Sequence, residues 1–188
     1  MVAVTGNEGR LIERATAGDH DSFASLYTDY LDAIYRYVYY RTGDAQDAED
    51  LTEQVFIKAW KALPNYKQAG VCFGNWLYRI AHNSIVDYHR RRKLINSDSF
   101  EQDGGFQDLA QEDALDTIIS AENSALLARA IARLPEEYQQ IIILRFIEGL
   151  GHAEIAVIME KSEVACRGLQ HRALASLNKL ISVQKEGI

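Results

Sequence analysis

The chain has 188 residues, of which 47% are hydrophobic, and a formal net charge of −7. This apolar content is enough for one medium domain or two small ones. The sequence contains no uncharged run of 18 residues, and its first eight residues lack the basic and apolar regions of a signal peptide. We therefore expect a cytoplasmic protein that does not insert into membranes. Cys72 and Cys166 are too few for a disulfide framework and lack metal-ligand spacing, which predicts reduced thiols and no metal or cofactor site.

The negative charge is concentrated in one segment. Between Lys93 and Arg129 there is no basic residue, and removing the acidic residues of this interval leaves the rest of the chain near +1. These acidic residues are Asp98, Glu101, Asp103, Asp108, Glu112, Asp113, Asp116 and Glu122. Nucleic-acid-binding domains are usually basic. The overall acidity therefore does not exclude nucleic-acid binding by the parts of the chain on either side.

The first predicted helix has apolar residues at helical spacing from Phe23 to Val38 and ends at Gly43-Asp44. A second helix follows from about Ala45 to Leu63. Its apolar residues, from Ala48 to Leu63, oppose an acidic stripe that consists of Asp47, Asp50 and Gln54 at positions i, i+3 and i+7, with Glu49 beside it. Such a stripe is either an ordinary solvated helix face or a surface offered to a partner.

Pro64 is expected to end the second helix, and residues 64–72 are typical of a loop. A third helix is predicted from about Phe73 to Lys93. One face of it carries Trp76, Arg79, Asn83, Asp87 and Arg90, spaced 3, 4, 4 and 3 residues apart, and it ends in the basic run Arg90-Arg91-Arg92-Lys93. Trp76 could fill a core and the basic run could be a solvated helix end, or both could face nucleic acid, where aromatic rings stack on bases and cations hold phosphates.

Residues 94–119 have the composition of an acidic linker with little core to bury, although a plain solvated tether has the same composition. Helical character resumes from Ser120. Leu134-Pro135-Glu136-Glu137 predicts a helix start with proline at its first position, and the pattern continues to Glu148-Gly149. A short helix from Ala153 to Glu160 and a last helix capped by Ser162 then predict a helix-turn-helix. The core stripe of the last helix comprises Cys166, Leu169, Ala173, Leu177 and Leu180.

In this order, the acidic-stripe helix, the segments Phe73 to Asn83 and Asp87 to Lys93, and the helix-turn-helix resemble a bacterial RNA polymerase sigma factor. The group is the small extracytoplasmic-function (ECF) group of the sigma-70 family. The resemblance spans Leu11 to Lys93 and Leu134 to Leu180. It implies an all-α fold of two small helical domains, with sigma region 2 at 10–93, the acidic linker at 94–119 and sigma region 4 at 120–183.

The resemblance also implies the function of each part. The protein would bind core RNA polymerase and promoter DNA, open the minus-ten element, recognise the minus-thirty-five element and be held by an anti-sigma factor. The residues implied for core polymerase binding are Asp47, Glu49, Asp50 and Gln54. Those implied for minus-ten DNA are Tyr66, Lys67, Gln68, Trp76, Arg79, Asn83, Asp87, Arg90, Arg91 and Arg92. Those implied for minus-thirty-five DNA are Ser162, Glu163, Arg167, Gln170, His171 and Arg172.

Within the last helix, Arg167 could read guanine and Gln170 adenine, because each offers a bidentate hydrogen-bonding pattern that matches that base. The chain departs from the family at three helix-turn-helix positions. The family usually has glycine at Glu160, an apolar residue at Lys161 and an aliphatic one at Cys166. Glycine tolerates a left-handed backbone at little cost, so Glu160 and Lys161 bear on the turn geometry. The chain also reads Thr52-Glu53-Gln54 where the family often has Thr-Gln-Glu.

Two other functions stay open at this point. A conventional helix-turn-helix regulator would use the N-terminal helices for dimerisation or ligand binding, and an interaction protein could have lost promoter activity. The acidic stripe followed by the Trp76 helix disfavours the regulator. Catalysis is not expected, because the five histidines lack a supporting triad or metal spacing and no glycine-rich phosphate loop is present.

Overall fold

The computed structural model describes residues 6–67, 72–95 and 127–186. In these ranges all regular secondary structure is helical, which confirms the all-α fold class. The predicted linker lies outside the described residues except for its first two positions. None of the described helices is long and apolar enough to cross a membrane. The helices are α1 (Gly6–Thr16), α2 (His20–Thr42), α3 (Ala45–Ala62), α4 (Phe73–Ile95), α5 (127–132), α6 (Glu136–Ile142), α7 (His152–Met159) and α8 (Glu163–Glu186).

Helices α1 to α4 form an N-terminal unit, in which the predicted boundary between α2 and α3 is confirmed. Gly43 ends α2 in a left-handed conformation (φ 76°), and its N–H donates to the Tyr39 carbonyl at 2.8 Å. Asp44 caps α3 by accepting a hydrogen bond from the Asp47 N–H at 2.9 Å. Helix α1 was not among the predicted elements, and it buries Ile12 and Ala15 in the shared core.

The apolar stripe of α3 is buried, as its spacing predicts. Ala48, Val55, Ala59 and Leu63 are 0% exposed. Helix α4 packs beside α3 and α2, and its Leu77, Ala81 and Ile85 are likewise 0% exposed. A 3₁₀ turn, Leu63–Asn65, follows α3 and contains Pro64.

An aromatic cluster of Tyr30, Tyr66, Phe73 and Trp76 holds the first turn of α4. The rings of Tyr66 and Trp76 lie 4.9 Å apart between centroids, and Tyr30 meets Phe73 edge-on at 5.5 Å. A Cβ added to Gly74 would lie 2.9 Å from Cε1 of Tyr30, so only glycine permits this approach. The two described ends of the predicted loop are therefore brought together by ring packing.

Helices α5 to α8 form a C-terminal unit. The start of α6 agrees with prediction to within one residue, since Pro135 precedes its first residue, Glu136. The predicted continuous helix up to Glu148-Gly149 differs from the structure, in which Ile143–Ile147 is a π-helix. The guanidinium of Arg145 then donates to the Leu150 carbonyl at 2.8 Å, which fixes the turn before α7.

The two units meet at an interface made of charged and polar side chains. Arg41 of α2 has a fully buried side chain, and its Nη2 donates to the Glu136 carboxylate at 2.9 Å. Arg36 forms two hydrogen bonds with Glu148, at 3.2 and 3.0 Å, and the Tyr78 hydroxyl donates to the same carboxylate at 3.0 Å. These five residues form part of the interface between the units.

Replacing Glu136 with Ala should lower the free energy of unfolding by about 2 kcal/mol, because Arg41 would stay buried without its carboxylate. Glu137→Ala is the matched control. Glu137 pairs with Lys161 at the surface, where such a pair contributes about 0–1 kcal/mol. Urea unfolding monitored by circular dichroism measures the free energy of unfolding of both variants. Equal losses in the two variants would contradict the special role of the Arg41–Glu136 pair.

Candidate nucleic-acid interface

The acidic stripe of α3 borders α4 across a surface cleft of about 440 Å³. Asp50 and Gln54 line the cleft and are exposed, and Asp47 lines it and is half-buried. Glu49 is exposed on the same helix. On the other side of the cleft, α4 contributes Arg91 and Arg92. The predicted polymerase-binding stripe and the predicted basic run are thus neighbours in space.

Asp47 joins the two helices through a hydrogen-bond network. The Tyr88 hydroxyl donates to Asp47 Oδ2 at 2.5 Å, and Arg92 donates both to the Tyr88 hydroxyl and to Asp47, the latter at 3.3 Å. Burial and the hydrogen bond to Asp47 raise the pKa of Tyr88 to about 12, so Tyr88 stays a donor at neutral pH. Asp47 therefore contributes to the packing of α3 against α4.

The predicted DNA-facing side chains of α4 lie in three different surroundings. Trp76 is half-buried in the aromatic cluster. Arg79 and Asn83 face the C-terminal unit. Asp87 accepts a hydrogen bond from Arg90 at 3.0 Å, near the acidic stripe. In the preceding segment Tyr66 is half-buried, Lys67 is exposed and Gln68 lies outside the described residues.

Arg79 and Asn83 line an interunit cleft of about 400 Å³ that α4 forms with α6, α7 and the turn after α7. Arg79 forms an ion pair with Glu160 of this turn. Glu160 is the single described non-glycine residue with a positive φ, at 53°. The turn therefore has the left-handed backbone that the family's usual glycine would favour, and its carboxylate contacts a predicted DNA-binding residue of the other unit.

Helices α7 and α8 form the predicted helix-turn-helix. The Glu154 carboxylate accepts a hydrogen bond from the Gly151 N–H at 2.8 Å at the start of α7. The Ser162 hydroxyl accepts one from the Ala165 N–H at 3.2 Å, which confirms its capping of α8. Cys166 and Ala173 are 0% exposed, so Cys166 acts as a small core residue.

Side chains of the predicted recognition helix differ in their availability. Arg167 is exposed and pairs with Glu163 one turn before it at 3.3 Å. His171 is exposed, and Arg172 donates to the Gly168 carbonyl at 3.3 Å. Gln170 is half-buried, with its amide oxygen 2.7 Å from Nε2 of His152 in α7. Adenine reading by Gln170 would require this hydrogen bond to break.

The residues that join the two units are far apart in the sequence. Glu160 and Arg79 are separated by 81 positions, and Tyr78 and Glu148 by 70. Local periodicity carries no signal for such pairs. The glycine that the family usually has at position 160 was the available indication that this residue is unusual. In the part of the chain that the structure describes, no group of three His, Cys, Asp or Glu side chains could hold a metal ion.

Comparison with known proteins identifies both halves of the chain. The family model for Sigma-70 region 2 matches residues 26–95, and that for Sigma-70 region 4 matches residues 124–177. The ECF RNA polymerase sigma factor BldN of Streptomyces coelicolor is 39% identical over 91% of this chain, which spans 64% of BldN. The RNA polymerase sigma-H factor of Pseudomonas aeruginosa is 32% identical over 92% of each chain.

A solved structure shows the same fold. The sigma factor RpoE in complex with the anti-sigma factor NepR from Bartonella quintana matches with a TM-score of 0.69 and 22% identity. The match covers 86% of this chain and 97% of that chain.

Acidification should destabilise the protein through the histidines near Arg41. Burial, and then the Arg41 charge, lower the pKa of both His82 and His89, so the folded protein favours their neutral forms. Unfolded histidine titrates near pH 6.5. As the pH falls below this value, the unfolded chain binds more protons than the folded one, and the free energy of unfolding decreases.

Urea unfolding between pH 7.5 and 5.5 measures this slope. The double variant His82→Gln, His89→Gln should have a shallower slope than the parent chain. His171→Gln is the control, because it makes the same substitution at an exposed histidine away from Arg41. A double variant with the parent slope would contradict this origin of the acid sensitivity.

Proposed function

Because the chain belongs to the ECF group of the sigma-70 family, we propose that it binds core RNA polymerase in the cytoplasm, directs it to specific promoters and opens the minus-ten element. One observation carries the proposal: a region 2 with an exposed acidic stripe and a region 4 helix-turn-helix occur in one chain. The protein itself performs no covalent chemistry. A conventional helix-turn-helix regulator is not favoured, because the N-terminal helices match region 2.

Core polymerase binds the α3 surface in this proposal. Asp50 and Gln54 are exposed, and the apolar side of the helix is fully used by the core, so the polar side is available to a partner. A basic surface would complement the carboxylates of Glu49 and Asp50. Asp47 would have a second role, since it also bonds Tyr88 and Arg92.

Promoter DNA is proposed to contact α4 and the loop before it. Arg90, Arg91 and Arg92 lie near the end of α4, where phosphates would replace the present carboxylate partners of Arg90 and Arg92. Trp76 provides part of an aromatic platform beside the loop, and stacking on such a platform contributes about 1–3 kcal/mol per base. Asn83 is exposed and would read the edge of a separated base.

Access of DNA to Arg79 requires the interunit cleft to open, whereas Asn83 is already exposed. Both residues line it, and Arg79 is paired with Glu160. In this proposal the free protein is closed, and binding to polymerase separates region 2 from region 4. An anti-sigma factor is also proposed as a partner, since the acidic stripe and much of the recognition helix are exposed and available for it to cover.

Run-off transcription on genomic fragments with purified core polymerase tests the proposed function. The chain should direct initiation from a restricted set of fragments. Asp50→Arg should weaken both co-purification with core polymerase and transcription, because a like charge would face the basic partner surface. Asp29→Arg, an exposed substitution on α2, should leave both unchanged. Absence of any transcript with the parent chain would refute the proposal.

Releasing Arg79 should strengthen binding of the free chain to minus-ten DNA. Glu160→Gln removes the carboxylate and keeps the left-handed strain, whereas Glu160→Gly removes both. Each should raise the affinity for a single-stranded minus-ten oligonucleotide up to about fivefold, the range of an exposed ion pair. Glu160→Gly should also stabilise the protein by about 1 kcal/mol.

Fluorescence anisotropy with an oligonucleotide from a promoter found by run-off transcription measures the affinity. Glu163→Gln is the control, because Glu163 pairs with Arg167 inside α8. An equal gain in Glu163→Gln would show a general effect of charge and not the release of Arg79.

A further inference from the structure

Val164 is the most exposed large hydrophobic side chain in the described parts of the chain, at 80%. It is the second residue of α8, two residues after the Ser162 cap. The N-terminal residues of a recognition helix are those that reach base edges in the major groove. Isolated exposed apolar residues are common on protein surfaces, but few occupy such a position.

Val164 belongs to a continuous exposed face of α8. Arg167, Gly168 and His171 follow it at i+3, i+4 and i+7, and all four are exposed. A Cβ added to Gly168 would meet nothing within 4 Å, so the helix backbone is open at this point of the face. Cys166, Leu169 and Ala173 form the opposite, buried side.

This exposed face does not include Gln170, the side chain predicted to read adenine. Gln170 is turned towards His152 in α7. Beside the polar Ser162 and Glu163, the first two turns then offer base edges the guanidinium of Arg167 and the apolar surface of Val164. Of the groups that base pairs present in the major groove, the C5-methyl of thymine is the one that apolar side chains contact.

We infer that Val164 is a specificity-determining residue that packs against the C5-methyl group of a thymine in the minus-thirty-five element, beside the base read by Arg167. This inference rests on the proposed function of region 4. Arg167 lies one turn after Val164 on the same face, so both can enter one groove. Enclosing one methyl group between protein and DNA corresponds to about a fourfold gain in affinity.

The test compares thymine with deoxyuridine, which lacks only the methyl group. The full chain, assembled with core polymerase, selects duplexes from a library that is randomised across the upstream element. Each thymine of the selected sequence, on either strand, is then replaced by deoxyuridine. At one position the replacement should weaken binding about fourfold. Val164→Ala should weaken binding to the thymine duplex by a similar factor and abolish the difference between the two duplexes.

Two further variants separate methyl contact from loss of structure. Val164→Thr keeps one methyl group in the same place and should preserve part of the difference. Leu174→Ala removes an apolar side chain, 39% exposed, that lies ten residues later on α8, about 15 Å along the helix axis. It should leave the difference intact. Circular dichroism should show unchanged helicity in all three variants.

The outcomes distinguish this inference from the proposed function. If the library yields no enriched upstream sequence, the assignment of region 4 is wrong and the inference fails with it. If a sequence is enriched but contains no A·T pair, or shows no effect of deoxyuridine, the Val164 contact is refuted while the proposed function stands. An effect of deoxyuridine that persists unchanged in Val164→Ala would likewise refute it.

Discussion

The arrangement of the two units depends on the ion pair between the buried Arg41 and Glu136. Arg41 lies in the last turn of α2, where the helix dipole favours a cation, and Glu136 lies in the first turn of α6, where it favours an anion. The pair therefore joins two helix ends of opposite polarity, and each charge is favoured by the dipole of its own helix. Tyr37 and Gln140 are buried beside this pair. Burial raises the pKa of the Tyr37 hydroxyl, while the Arg41 charge and hydrogen bonds with Gln140 and Arg41 act in the opposite direction. The interface between the units therefore has a polar centre.

This polar centre has a functional consequence. Water can hydrogen-bond its groups when the units separate, so opening costs less than it would at an apolar interface of the same extent. The interunit cleft borders this interface through Glu136 and Gln140 on one side and Arg79 and Asn83 on the other. In the proposed function, a closed form held by polar contacts suits residues that become accessible to DNA only after a partner binds. The sub-kilocalorie range of the exposed Arg79–Glu160 pair is consistent with such a transition.

Periodicity predicted the helices that bury a regular stripe. The buried residues of α3 and α8 follow from their spacing, and the αL turn at Glu160 follows from the glycine usually found there. Other features have no local signal. The π-helix at Ile143–Ile147 has the same apolar spacing as an α-helix over so short a stretch. Gln170 occupies a suitable helix position, and its contact with His152, 18 residues earlier, becomes visible only when α7 packs on α8. The roles proposed for the site residues remain predictions from the family resemblance.

The pairing of the arginines that we propose as DNA contacts bears on how an acidic protein can bind DNA. Four of them have a carboxylate partner in the folded chain: Arg79 with Glu160, Arg90 with Asp87, Arg92 with Asp47 and Arg167 with Glu163. All four pairs are at least partly exposed, and such pairs are weak. A phosphate offers an arginine a bidentate geometry in a stronger field of neighbouring charges. Each arginine can therefore exchange its carboxylate for DNA at small cost, whereas in the free protein the carboxylates reduce non-specific attraction to DNA. In the proposed function, the affinity for promoters depends on several of these exchanges of carboxylate for phosphate occurring together. This favours binding where polymerase holds the DNA against both units at once.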